Sequence, residues 1–585
     1  MSHDLYRRFT NSFSVNEHIV LSVVAVFIGL LVGYGAIFFR TLVGWFQTLF
    51  MGDGHEGVVM IVQGLPWWQI LLAPTVGGLI VGLLAYHFLT PGESQGVPEV
   101  MSAVALHSGK INLRSGMVKM LASALSIGCG ASVGREGPVI HLGATLASAV
   151  GRKLHMSTRH MRTMVGCGAA AGIAASFNAP IAGVMFSLEV ILADYGLATF
   201  SPIVLSSVIA TVVARMHLGD YPAFIVPHYT LVSAWEIPAY VGLGLLCGLV
   251  GIFFMFTLFK TEDLMAKIPI PRYLKPILGG IVMGGIALLF PHVMGVGYDT
   301  MNLALLEEVG GLLLFALLFA KIFATAVTLG SGFAGGEFTP VLFLGAMLGG
   351  SFGTFIHGMM PELSAGAGAY TLVGMGAMVA AVLGAPLASI LILFELTNDY
   401  RIMLALMVSS IVATLLVNQV YRDSVYTRVL RRKNINLWSG RESGLLNQIS
   451  VSAVMQRNCE LLVDTMTIRR VREKISKSKE ESYLVVDGNG RLKGIVSFQD
   501  IRGILSEEGL ENLVLVRDIT NPSVLTVTPE DNLYHAFRRM GSSNMEQLPV
   551  LSAQHSDKVV GMITDHGIMR AYNKALMERE TGGDL

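Results

Sequence analysis

The chain has 585 residues, of which 52% are hydrophobic and 14% charged, and its 41 basic residues balance 41 acidic ones. A mean hydropathy of +0.60 excludes an ordinary soluble globular protein and points to a polytopic membrane protein. Zero net charge and the lack of a basic tract exclude nucleic acid as a partner.

Arg7 and Arg8 precede the first apolar run, residues 18–39, and by the positive-inside rule predict a cytoplasmic N-terminus. That run is too long for a cleaved signal peptide and lacks a small-residue cleavage pattern. Runs at 70–89, 240–259, 312–329 and 402–420 are also long enough to span a hydrocarbon core of roughly 30 Å. By contrast, the apolar stretches at 127–138 and 329–340 are interrupted by glycine and proline. Broken helices persist at membrane depth only where protein or a polar cavity satisfies the freed backbone. Their occurrence in both halves points to a substrate site near the midplane and to inverted repeats.

Each broken stretch ends in a glycine-proline motif, Gly134-Arg135-Glu136-Gly137-Pro138 and Gly336-Glu337-Phe338-Thr339-Pro340, that opens a predicted helix. A helix start presents unpaired amides and the positive end of the macrodipole, so it binds an anion without a buried cation. Proline costs no needed donor there. The surroundings repeat too: Lys119 and Lys321 each lie 15 residues before the motif glycine, and Val165-Gly166-Cys167-Gly168-Ala169 returns as Val373-Gly374-Met375-Gly376-Ala377. Ala179-Pro180 returns as Ala385-Pro386, each proline followed nine residues later by a glutamate, Glu189 and Glu395. Offsets of 202 to 208 residues identify a duplicated unit. The two lysines supply buried positive potential behind the anion sites or snorkel to an interface, and the two glutamates are expected to bond backbone at helix ends.

After the last apolar run, Arg428, Arg431, Arg432 and Lys433 place the following segment in the cytoplasm. The composition then turns mixed and charged, and a second duplication follows. Ser482-Tyr483-Leu484-Val485-Val486 with Gly494-Ile495-Val496-Ser497 is echoed by Gln547-Leu548-Pro549-Val550-Leu551 with Gly561-Met562-Ile563-Thr564. Each copy predicts helix, strand, turn, strand, helix, with Asp487-Gly488-Asn489-Gly490 as a hairpin turn. The pattern resembles a pair of cystathionine β-synthase (CBS) modules. That resemblance implies an adenine nucleotide as a ligand, contacted by Ser497 and Asp500 in the first copy and Thr564 in the second, where Gly567 replaces the aspartate. A docking module without ligand is the alternative. Four scattered cysteines and the lack of any catalytic constellation argue against a disulfide framework, a zinc site or an enzyme.

Together with Glu395-Leu396-Thr397-Asn398-Asp399-Tyr400, the two glycine-proline motifs resemble the CLC family of chloride channels and chloride/proton antiporters over essentially the whole chain. The resemblance implies a polytopic α-helical membrane protein built of two inverted repeats with broken helices, carrying an α/β CBS pair. The expected division is a transmembrane domain at 1–433 with repeats at about 17–215 and 235–432, a linker at 434–448, and CBS modules at 449–510 and 511–585. The expected partners are chloride, protons, the lipid bilayer and a second copy in a homodimer with a pore in each subunit. No cofactor is required, and a bacterial inner membrane with both termini cytoplasmic is the expected location.

The resemblance also assigns residues. Glu136 matches the gating glutamate whose carboxylate competes with the anion, and protonating or displacing it opens the path. Gly134, Arg135, Gly137, Gly336, Glu337 and Phe338 belong to the anion-binding motifs, and Tyr426 matches a tyrosine whose hydroxyl contacts the central anion. Glu337 is expected to turn its carboxylate away from the anion. Two positions depart from the family pattern. In Ser94-Gln95-Gly96-Val97-Pro98, Gln95 stands at the coordinating serine, which bears on chloride against nitrate. Val190 replaces the internal proton-accepting glutamate of many antiporters, favouring channel-like or weakly proton-coupled conduction. The alternatives are an antiporter whose proton path bypasses Val190 and a nucleotide-sensing regulator with an inactive transport core.

Overall fold

The computed structural model describes residues 17–54, 57–89, 96–219, 224, 226–227, 229, 232–233, 236–397, 400–433, 435, 446–447, 449–457, 459–475, 482–497, 500–501, 512–522, 524–543, 545, 547–552 and 557–581. The chain forms two compact units, Met1–Asn436 and Leu437–Leu585.

The first half of the larger unit contains α1 (Glu17–Met51), α2 (Val58–Gly64), α3 (Trp67–Phe88), α4 (Val97–Leu106), α5 (Leu113–Gly128), α6 (Glu136–Lys153), α7 (Thr158–Phe177), α8 (Pro180–Phe186) and α9 (Leu197–Leu218). A π-helical turn, Ser187–Leu192, continues α8. The second half contains α10 (Ile237–Lys267), α11 (Lys275–Leu289), α12 (Tyr298–Leu305), α13 (Gly311–Ser331), α14 (Phe338–Met359), α15 (Ala367–Leu383), α16 (Pro386–Thr397), α17 (Met403–Val420) and α18 (Val425–Arg432). Among the described residues eight helices are long and apolar enough to cross a membrane, and four shorter apolar helices accompany them. Long runs give the spans, and the broken motifs give helices that start inside the packing.

The two halves repeat each other in packing as well as order. α6 crosses α7 at Gly143 and Gly168, and α14 crosses α15 at Gly345 and Gly374, where a Cβ at any of the four would collide with the facing carbonyl. Small residues let the helices approach this closely in a membrane. The short helices α4 and α12 each follow a glycine with positive φ, Gly96 at 66° and Gly297 at 88°.

Reciprocal bonds join the halves. The Gly134 amide donates to the Gly336 carbonyl (2.7 Å) and the Gly336 amide returns to Gly134 (2.9 Å), an isolated antiparallel bridge. The Glu189 carboxylate accepts from the Leu387 and Ala388 amides (3.1 and 2.8 Å) at the start of α16. Glu395 accepts from Ile181 and Ala182 (2.9 and 2.7 Å) at the start of α8. The two glutamates do bond helix ends, each on the other half. A contact in which i meets j and j meets i is the mark of two-fold symmetry, here between inverted repeats within one chain.

The lysines do not snorkel: Lys119 and Lys321 are 3% and 0% exposed. Lys119 donates to Glu99, and Lys321 to the Val293 and Gly295 carbonyls (3.0 and 3.1 Å). Burial in hydrocarbon demands such partners, so neither side chain is left as an uncompensated cation.

In the smaller unit, β1 (Leu461–Val463) pairs in parallel with β2 (Ser482–Val486), which pairs antiparallel with β3 (Leu492–Ser497), and α19 (Ile468–Ile475) packs on them. The second module has α20 (Leu533–Ser543), the antiparallel strands β4 (Gln547–Leu551) and β5 (Val559–Thr564), and α21 (Asp565–Thr581). The predicted turn forms: Asp487 accepts from the Asn489 and Arg491 amides (both 2.9 Å), and Gly490 takes φ 77°. Leu446 and Val451, although they precede the first module's strands, join the core of the second with Leu533, Leu548 and Ile563.

Candidate anion site and gate

The two glycine-proline motifs form one site because their backbones touch. A Cβ at Gly137 would stand 3.1 Å from Gly336 Cα, and one at Gly336 would stand 3.0 Å from the Gly137 nitrogen. A Cβ at Gly134 would stand 3.0 Å from the Gly336 oxygen. Glycine is therefore needed for the approach of one repeat to the other.

Each motif then starts a helix with matching geometry. The N-caps are Arg135 (φ −91°, ψ −20°) and Glu337 (φ −88°, ψ −14°). The first intrahelical bonds run from Val139 to Arg135 (3.2 Å) and from Val341 to Glu337 (3.0 Å). The amides of Glu136 and Gly137, and of Phe338 and Thr339, precede them and point out of the helix starts. Two positive helix ends thus converge at one crossing.

Glu136 lies fully buried at this crossing. Its Oε1 accepts from the Tyr298 hydroxyl (2.8 Å), and its Oε2 accepts from the Thr339 hydroxyl. The Arg135 Nε lies 3.6 Å from Oε1, and its guanidinium stacks on the Tyr298 ring at 4.5 Å. Thr339 belongs to the first turn of α14, so a carboxylate from the first half rests against a helix start of the second. Arg135 is engaged with Glu136 and Tyr298, and its charge serves the carboxylate as well as any anion.

Tyr298 and Thr339 escaped the sequence reading. Thr339 sits inside the second motif and was legible as a hydroxyl in the first turn of its helix. The signal for Tyr298 is weaker: Gly297 repeats the place of Gly96, and Tyr298 follows it.

The remaining assigned residues in the larger unit are placed individually. Phe338 is buried, its ring 5.3 Å from that of Phe177 and 6.1 Å from that of Phe186. Tyr426 is 1% exposed, the second residue of α18, whose start is fixed by a capping box between Ser424 and Thr427. Glu337, the N-cap of α14, is half-buried. Val190 is buried in the π-helical turn, where it offers no proton acceptor. Gly96 caps α4, while Gln95, like Ser94, lies outside the described residues.

In the smaller unit Ser497 and Asp500 are turned on each other: the Ser497 hydroxyl donates to the Asp500 carboxylate (2.6 Å), and the Asp500 amide donates to the Ser497 oxygen (3.2 Å). This is the reciprocal bonding of a helix cap. Thr564 likewise accepts from the Gly567 amide (3.0 Å).

Comparison with known proteins bears on both units. The family profile of the voltage-gated chloride channel matches residues 77–418, and that of the CBS domain matches 451–507 and 516–574. The chain belongs to the voltage-gated chloride channel family, the CLC proteins. A ClcB-like protein of Ralstonia nicotianae is 37% identical over 413 residues, 70% of this chain and 96% of its own. A slow cyanobacterial chloride/proton antiporter shares the fold at a TM-score of 0.64 and 24% identity, over 72% of this chain and 98% of its own. A eukaryotic CLC transporter covers 94% of this chain and 97% of its own at a TM-score of 0.63 and 20% identity. This CLC protein is thus an integral membrane protein of a family of chloride channels and antiporters rather than enzymes.

Proposed function

We propose that this CLC protein conducts chloride through a pore in each subunit of a homodimer, and that Glu136 gates the pore by standing in the anion's place. The observation that carries this reading is the buried Glu136 carboxylate held at the start of α14 by Tyr298 and Thr339. A carboxylate is itself an anion and satisfies a helix start as chloride would. Protonation weakens its hold on the two hydroxyls, and a competing anion displaces it. The path then runs by the amides of Glu136, Gly137 and Phe338 beside the Gly134–Gly336 bridge, past Arg135 and Glu337, to the Tyr426 hydroxyl, with Gln95 and Gly96 assigned to it by the family resemblance.

Val190 favours channel-like or weakly proton-coupled flux, because a buried valine relays no proton. A coupled antiporter is the second reading, with Glu337, a half-buried carboxylate at the start of α14, as the proton handle that would stand in for Val190. Chloride and proton movement recorded together from liposomes under a chloride gradient separates the two. Uphill proton movement at a fixed ratio selects the antiporter, and chloride movement alone selects the channel. No chloride flux under any pH or nucleotide condition would replace both readings with a regulator whose transport core is inactive.

The orientation we favour has both termini in the cytoplasm of a bacterial inner membrane, given the basic cluster from Arg428 to Lys433. An adenine nucleotide at the CBS pair would meet Ser497, Asp500 and Thr564 only by replacing the capping bonds these residues make. Nucleotide titration of the full chain by calorimetry tests this: no heat favours a docking module.

A further inference from the structure

The turns that join α4 to α5 and α6 to α7 carry charge that the anion site does not use. Lys110 and Arg114 belong to the first turn and the start of α5, and Arg152, Lys153 and Arg159 to the end of α6 and the start of α7; all five are exposed. From residue 100 to residue 188 the one carboxylate in the sequence is Glu136, which is buried at the crossing. Among the described residues no carboxylate pairs with Lys110, Arg152, Lys153 or Arg159.

Packing joins the two turns into one surface. Gly109 takes φ 75° against α7, where a Cβ would stand 3.0 Å from Met161 Cγ. Gly151 approaches the same methionine, with its Cβ position 2.7 Å from Sδ. The Ile111 amide donates to the Ser148 hydroxyl oxygen (2.9 Å), and Arg162 donates to the Ala105 carbonyl (3.4 Å).

Contacts along α3 and α10 set the face. The Arg114 guanidinium lies 5.8 Å from the centre of the Phe88 ring, at the end of α3. Tyr86, one turn back, packs on Tyr273 just beyond α10 (5.1 Å between rings), and Glu262 and Asp263 toward the end of α10 pair with Arg432. The basic surface therefore lies on the face at which α18 ends. Its border is apolar: Phe88, Leu106, Leu113 and Met117 are 48%, 47%, 40% and 38% exposed. Cations beside exposed hydrocarbon suit the boundary between headgroups and acyl chains.

The second half supplies an internal contrast. Its equivalent turns, α12 to α13 and α14 to α15, carry Glu307, Glu308 and Glu362 and no lysine or arginine. Inversion of the repeats assigns these turns to the other face. The shared backbone thus forms the turns with either sign of charge, so the cations answer to something outside the scaffold.

We propose that this surface is a binding site for an anionic phospholipid, with the headgroup phosphate among Lys110, Arg114, Arg152 and Lys153 and the acyl chains along Phe88, Leu106, Leu113 and Met117. A lipid suits the site better than a free phosphate, because only a lipid covers the apolar border as well as the cations. Binding needs no chloride flux, so it stands or falls apart from the conduction reading.

The test is binding of fluorescent phosphatidylglycerol to the purified full chain in detergent micelles, with fluorescent phosphatidylcholine as the neutral reference. The unaltered protein should prefer phosphatidylglycerol, and the preference should shrink as salt rises. Lys110→Gln with Arg114→Gln, and Arg152→Gln with Lys153→Gln, should each weaken phosphatidylglycerol binding about ten-fold and leave phosphatidylcholine binding unchanged, which also shows that the variants are folded. Lys110→Arg with Arg114→Lys keeps both charges and should retain the preference. Glu308→Gln with Glu362→Gln, on the other face, should alter neither lipid. No preference in the unaltered protein, or equal affinity in the glutamine variants of the basic residues, overturns the site. Full displacement of the lipid by inorganic phosphate would assign the cations to a soluble anion and overturn it too.

Discussion

The two halves of the transmembrane unit share a backbone and differ in chemistry. Glu136 in the first half stands where Phe338 stands in the second, and Arg135 where Glu337 stands. Behind them, Lys119 meets a carboxylate, Glu99, which the His141 Nε2 also approaches at 3.3 Å. The equivalent Lys321 meets two carbonyls, and Phe343, at the place of His141, lies under its ammonium at 4.9 Å. Glycine crossings, reciprocal glutamate caps and helix starts are preserved, because they hold the scaffold together in both halves. The fully buried carboxylate at the crossing, Glu136, comes from the first half. A symmetric frame therefore supplies two converging helix starts, and asymmetry in a few side chains puts a buried carboxylate at their crossing.

The comparison can be broken most severely at the shared crossings. Leucine at Gly143 or at Gly345 should abolish monodisperse protein in size-exclusion chromatography to the same degree, while alanine at Gly358, which has nothing within 4 Å of its Cβ position, should be silent. Tolerance of leucine at one crossing alone would show that the halves pack differently.

The lysines come next. Lys119→Met leaves Glu99 without its cation and should cost ~3–5 kcal/mol in unfolding. Lys321→Met leaves carbonyls unpaired and should cost ~1–3 kcal/mol. Equal losses in denaturant titrations would mean that the partner's charge is irrelevant.

Glu136→Gln keeps the shape of the gate and removes its charge. Chloride flux at neutral pH should rise about ten-fold, equivalent to ~1.4 kcal/mol, and should no longer depend on pH. A pH profile like that of the unaltered protein would sink the gate assignment. Smaller still, Glu189→Gln and Glu395→Gln should each cost ~1 kcal/mol and match one another, since each caps a helix of the opposite half. A clear inequality would place extra work on one of them.

The smallest effect lies outside both halves. Burial opposes ionisation of Asp531, but the Thr528 amide and the His535 imidazole together hold its carboxyl below the ordinary aspartate range. A depressed carboxyl favours the folded state at neutral pH and loses that contribution as pH falls through its titration in the folded protein. Acid melting of the smaller unit, followed by circular dichroism, should therefore be shallower in Asp531→Asn.

Much of this was legible along the chain. Unbroken apolar runs announced the spans, and interrupted ones announced helices that begin inside the membrane. The fixed spacing from Lys119 to Gly134 and from Lys321 to Gly336 exposed the duplication. Glu136 stood out because an ionisable residue in such surroundings is costly to keep. Other features were hidden because they depend on contact between distant segments. Thr339 and Tyr298 are 203 and 162 residues from the carboxylate they hold. Ser497 and Asp500 read as ligand contacts, yet at three residues' spacing they find each other first.

Composition, periodicity and repeat spacing by themselves determined a membrane protein made of two related halves with glycine-proline helix starts, followed by a second duplicated segment that resembles a CBS pair. Those properties are local, set by hydrophobic run length, backbone donors and glycine or proline at defined places. Only the tertiary structure decided which half caps the other, that Lys119 and Lys321 are buried on different partners, and that the carboxylate of Glu136 rests on a helix of the opposite repeat. The reason is that hydrogen bonds and charge pairs require atoms within a few ångströms, and the inverted packing of the repeats brings together residues that their positions along the chain keep far apart.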